Sequence, residues 1–107
     1  MEVDRPLLTI DLTARQLMTW GDLWDALAEP CGLPSWFGRN LDAWWDTLRG
    51  DISPVVDSHS LLIEVRADGL FGSGGDGYRF VKTTNESTHA RVEVVRAYLP
   101  GCNGSSA

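Results

Sequence analysis

The sequence predicts a small α/β domain, and three observations lead there. Short β-forming runs at Leu7–Leu12, Ser60–Val65 and Ala90–Arg96 are separated by segments too long for hairpins. Two stretches between the first and second runs carry apolar residues at helical rather than alternating spacing. The order is then strand, helix, helix, strand, irregular segment, strand, with connections long enough for parallel pairing through right-handed crossovers.

Met1 to Pro6 reads as a loose leader. Leu7–Leu12 (LLTIDL) is short, apolar and rich enough in β formers for a buried strand. Thr19 opens a helix, with Asp22 at its third position supporting the first turn. Trp20, Leu23, Trp24 and Leu27 then fall on one stripe facing a core, and Pro30 and Gly32 end the helix. Pro34 fixes its own φ and holds Leu33 out of the α region. Gly38 is expected to adopt a backbone conformation that Trp36 and Phe37 beside it resist. Asn40 is a good N-cap for a helix over Leu41–Leu48, with Arg49 near its C-terminal end and Gly50 as the stop.

Further along, Ser53 and Pro54 break the chain before the strand Ser60–Val65. Ala67 to Gly77 (ADGLFGSGGDG) is a loop by composition. Tyr78–Asn85 reads as a short helix with Tyr78, Val81 and Asn85 on one side, although Thr83 and Thr84 disfavour helix there. Val92 and Val94 share a face of the third strand. Residues 1–100 are expected to form one domain and 101–107 a flexible tail.

The chain has 107 residues, 43% apolar and 22% charged, which suits one domain with a modest core. Nine basic against fifteen acidic side chains give a net charge of −6. That balance argues against direct nucleic-acid binding, which needs a basic patch, and suits a basic protein partner. No basic region followed by an apolar run opens the chain, and no apolar run is long enough to span a bilayer, so a cytoplasmic protein away from membranes is expected. In that setting Cys31 and Cys102 read as reduced thiols, and the sequons at Asn85 and Asn103 carry no meaning.

The densest information lies in Leu33–Gly50 (LPSWFGRNLDAWWDTLRG). On the helix, Leu41, Trp44 and Leu48 form one stripe suited to a core. Asp42, Trp45, Asp46 and Arg49 form a second, about 110° away. Two adjacent tryptophans cannot both occupy the centre of one buried face, so Trp45 is expected to share a surface with the carboxylates. An aromatic beside acids, preceded by an aromatic loop, is the makeup of an interface hot spot.

Leu33, Pro34, Trp36, Phe37, Gly38, Asn40, Leu41, Asp42, Ala43, Trp44, Trp45 and Asp46 stand in the register of a known pattern. The run resembles the barstar family, intracellular inhibitors of secreted bacterial ribonucleases. The resemblance implies a three-stranded parallel sheet flanked by helices, no enzymatic activity, no cofactor and no metal. It also implies a free monomer that forms a 1:1 complex with a basic secreted ribonuclease or related toxin nuclease. Its partner-binding set would be Trp36, Phe37, Gly38, Asn40, Asp42, Trp45, Asp46 and Gly50, with Arg39, Arg49 and Glu86 at the periphery. Asp46 stands where the family's aspartate occupies the place of the scissile phosphate. Asn40 is also explained by capping, Asp42 by the helix dipole, Phe37 by packing, and Gly38 and Gly50 as backbone positions.

This sequence departs from the family at several points. Trp36 replaces the usual tyrosine, losing a phenolic hydroxyl. The acids carried by the family's helix before the last strand are reduced to Glu86, and Arg39 and Arg49 flank the site. An immunity protein against a different toxin effector is the alternative these departures raise. Gly72–Gly77 (GSGGDG) matches GxGxxG in form, but no strongly predicted helix follows and no acid-tipped strand stands at the expected spacing. His59 and His89 have neither metal-ligand spacing nor a nucleophile partner.

Overall fold

Along the middle strand of the sheet, Leu61, Ile63 and Val65 are buried while Leu62 and Glu64 between them are half-buried. One face therefore meets the core and the other is only partly covered. The computed structural model describes residues 5–95. In it β1 (Leu7–Asp11), β2 (Ser60–Arg66) and β3 (Ala90–Val95) form one parallel sheet in the order β1-β2-β3. The register aligns Leu8 with Leu61 and Ala90, and Ile10 with Ile63 and Val92, stacking two apolar rows on one face. The α/β class, the parallel pairing and the flanking helices all agree with expectation. Residues 1–4 of the expected leader, Arg96 and the expected tail lie outside the described residues.

One strand expectation needs correction, and the shared face of Val92 and Val94 on β3 stands as expected. β1 is an edge strand with one enclosed face: Ile10 is buried and Leu8 half-buried, but Leu7, Thr9 and Asp11 are exposed. On β3 Val92 is buried while Val94, on the same face, is exposed and borders an open groove with Phe71, Tyr78 and Val81.

The helices are α1 (Trp20–Ala28), α2 (Leu41–Arg49), α3 (Pro54–Ser58) and α4 (Tyr78–Asn85). Thr19 caps α1 as expected: its hydroxyl accepts the Asp22 N–H at 3.1 Å, and the Asp22 carboxylate accepts the Thr19 N–H at 3.2 Å. Leu23, Trp24 and Leu27 are buried and Trp20 is half-buried over Trp24. Ser53 and Pro54 prove to be a helix start rather than a simple break. Ser53 caps α3, accepting the Val56 N–H at 3.2 Å and donating to the Cys31 carbonyl, and Pro54 takes the first helical position, where its missing N–H costs nothing.

α4 turns inward a face that the sequence reading did not single out. Phe80 and Thr84 are buried, whereas Tyr78 is 65% exposed. The cause is an aromatic cluster. Phe80 stacks on Trp44 at 5.4 Å and meets Trp24 and Phe71 edge-on at 5.9 and 6.1 Å. Beside it the buried Trp44 indole N–H donates to the Thr84 hydroxyl oxygen at 2.8 Å. The residue that weakens the helix locally thus supplies the acceptor that a buried indole needs.

The glycine-rich loop contains a 3₁₀ turn, Gly69–Phe71, with Leu70 and Phe71 buried. At Gly77 a Cβ would stand 2.6 Å from the Leu70 carbonyl oxygen and 2.5 Å from Phe71 Cδ1. Close backbone approach over this turn accounts for the glycine.

Replacing Thr84 by Val keeps the shape but leaves the indole N–H unpaired. Urea titration is expected to show a loss of about 1–3 kcal/mol, with Thr84→Ser retaining most of the stability. Cys31 is fully buried, and burial pushes its thiol up to about 12. In a Cys102→Ser background, Cys31 should take up no thiol label in the native state and one equivalent after denaturation. Because the folded thiol titrates later than the unfolded one, stability also falls as pH rises from 9.0 towards about 12.

Candidate functional site

Leu33–Gly50 is built as a turn, a cap and a helix. The Pro34 carbonyl accepts the Phe37 N–H at 3.0 Å, closing a turn with Ser35 and Trp36 at its tip. Phe37 goes inward, 9% exposed and edge-on to Trp24 at 5.5 Å, while Trp36 is left 68% exposed. Phe37 is core, and it serves this surface by holding the turn from beneath.

The left-handed backbone position is Arg39, with φ 55°, and not Gly38 as the sequence led us to expect. Gly38 makes room instead: a Cβ there would stand 3.2 Å from the Ala43 Cβ and 3.4 Å from the Asn40 side-chain nitrogen. Arg39 reaches back to α1, pairing with Asp25 at 3.1 Å and donating to the Gly21 carbonyl at 3.3 Å. Asn40 caps α2 as expected, its Oδ1 accepting the Ala43 N–H at 2.8 Å. Its Nδ2 donates to the Gly38 carbonyl at 3.1 Å, so both ends of the amide are engaged inside the loop.

On α2 the tryptophan pair is resolved. Trp44, Thr47 and Leu48 are buried and Leu41 is half-buried. Trp45 is half-buried, and Asp42, Asp46 and Arg49 are exposed. One helix face therefore carries Asp42, Trp45 and Asp46 within a turn of one another. Asp46 Oδ1 lies 3.9 Å from Arg49 Nη1, both side chains being about two-thirds exposed (62% and 67%), so this pair restrains Asp46 weakly. Gly50, at φ 122°, ends the helix, and its N–H returns to the Asp46 carbonyl at 3.2 Å.

Glu86 is brought to the same side. It shares a groove of about 340 Å³ with Trp45, Arg49 and His89, and its carboxylate is held by Lys82 Nζ at 3.2 Å. The ring nitrogens of His89 lie 2.9 Å from the Leu48 carbonyl oxygen and 3.1 Å from that of His59, tying the end of α2 to the start of β2. A second groove of about 300 Å³ lies across the start of α2, where Arg39, Asn40 and Asp42 face Trp20, Trp24 and Arg79. Sequence reasoning missed Arg79. Its only signal was its place beside Phe80, and the phase of α4 was set by tertiary contacts the sequence does not display.

The family described as barstar (barnase inhibitor) matches residues 7–70. The chain belongs to the barstar family. That match runs from β1 to Leu70 and includes the turn, the cap and all of α2. Beyond it the chain adds α4 and β3, which complete the barstar-like sheet. No curated protein sequence matches the chain. No helix among the described residues is long and apolar enough to cross a membrane.

Asn40→Ala removes the α2 cap and should cost about 1 kcal/mol in denaturant titration. Asn40→Asp keeps an acceptor for the Ala43 N–H and should stay within about 0.5 kcal/mol of the parent chain.

Proposed function

We propose that this chain is a non-enzymatic inhibitor that occupies the active-site cleft of a nuclease, in keeping with the barnase-inhibitor description of its family. The observation that carries the reading is the outer face of α2. Asp42, Trp45 and Asp46 are held out from a helix whose other side is locked by the buried Trp44. A carboxylate on a rigid helix can stand in for a substrate phosphate and meet the Arg, Lys and His side chains that such a cleft needs. Asp46 takes that role, Asp42 supports it, and Trp36 and Trp45 are the aromatic anchors. The net charge of −6 attracts a basic target, so association slows as salt is raised. In this reading the free chain is a monomer in the cytoplasm of the toxin-producing cell and binds its target 1:1.

One observation favours a second reading, an immunity protein against a different toxin effector. Around α4 Tyr78, Arg79 and Lys82 are exposed, and the nearby acid Glu86 is already engaged by Lys82. That is a different surface from the acid-bearing helix the family resemblance implies, and it supports a changed target.

Calorimetry with a catalytically inactive barnase-like ribonuclease tests the reading. Wild type is expected to bind, and Asp46→Ala to lose at least about 2 kcal/mol, the threshold of a hot spot. Equal binding by both chains removes Asp46 from the site. No binding by either sends the search to other toxin nucleases.

A further inference from the structure

The groove across the start of α2 contains charge that phosphate mimicry leaves unused. Two cations, Arg39 and Arg79, line it together with Asp42, Trp20 and Trp24. At about 300 Å³ it sits at the lower bound for drug-sized ligands, a size suited to one incoming side chain.

The two arginines differ in what they already hold. Arg39 already has partners, with one Nη on Asp25 and the other on the Gly21 carbonyl, exposed contacts that favour one position for it. Arg79, in the first turn of α4, makes no ion pair and no side-chain hydrogen bond among the described residues. An unpaired guanidinium in such a groove is a ready receptor for a carboxylate, which it can hold through two parallel hydrogen bonds. Asp42 occupies the same groove without an ion pair of its own among the described residues, so a partner that fits here presents an acid to Arg79 next to a base for Asp42.

We propose that Arg79, with Arg39 across the groove, receives a carboxylate side chain of the protein partner and so acts as a specificity residue. This rests on the inhibitor reading above and narrows it. The true target carries an acid at the rim of its basic cleft, and a nuclease with only cations there is a mismatched target. Like charges brought together across an interface are strongly unfavourable, which makes the arginine a device for rejecting wrong partners.

The test is affinity for a catalytically inactive barnase-like ribonuclease with a uniformly basic rim, measured for wild type, Arg79→Glu, Arg15→Glu and Asp46→Ala. Arg15 lines neither groove beside α2, so its variant controls for the same change in net charge. An acid in the first turn of α4 is compatible with the helix dipole, and thermal melts check that each chain folds. Arg79→Glu is expected to bind at least about tenfold tighter than wild type, with Arg15→Glu changing affinity by less than about threefold. Arg79→Glu binding as wild type does, or more weakly, overturns the proposal. An equal gain from Arg15→Glu overturns it as well, because the effect is then one of net charge. If Asp46→Ala loses binding while Arg79→Glu changes nothing, the plugging mechanism stands and only this proposal falls. If no chain binds, Arg79 is not what separates this target from the true one, and the ribonuclease reading falls with the proposal.

Discussion

The arrangement depends on how one indole is buried. Trp44 is fully enclosed, and its ring N–H finds its acceptor on Thr84, 40 residues further along the chain. In a low-dielectric interior an unpaired donor is expensive, so this hydrogen bond and the stacking on Phe80 together fix the rotation of α2 about its own axis. Rotation by one residue, about 100°, would bring Trp45 inward and carry Asp42 and Asp46 to other directions. The direction of the acidic face is therefore a consequence of core packing.

Where structure depends on near neighbours, the sequence could be read. The Thr19 capping box, the α1 stripe, the Asn40 cap and the stop at Gly50 all stand where local rules put them. The split between Trp44 and Trp45 followed from helical phase alone. What escaped was decided at a distance or over too few residues. α3 has five residues, too short for a periodic signal, and its Ser-Pro start resembles any chain break. The inward face of α4 was chosen by aromatic rings from α1 and α2, contacts that its own eight residues do not display. Gly38 is special for a reason that its own type does not reveal: the glycine supplies space, and its neighbour Arg39 takes the left-handed conformation.

The polar groups around α2 divide cleanly by use. Asn40 spends both ends of its amide on the loop, and Arg39 is latched to α1. These interactions hold the backbone in place and leave Asp42, Asp46 and Arg79 as the charged groups with little or nothing to give up on contact. Asp46 releases only a long, exposed pair with Arg49. The backbone beneath these side chains is already ordered, so any contact made here draws its entropic cost mainly from the side chains themselves.

The order of the strands bears on how the molecule is made. β1, β2 and β3 lie side by side in the order of synthesis, so each new strand emerges next to a neighbour already present. The seam under α2 follows a later schedule. Phe80 and Thr84 belong to the last helix before β3, well after α2 itself has been synthesised. A nascent chain released only as far as Leu70, where the family match ends, would possess every residue of the acidic helix. It would still lack the ring and the hydroxyl that aim it.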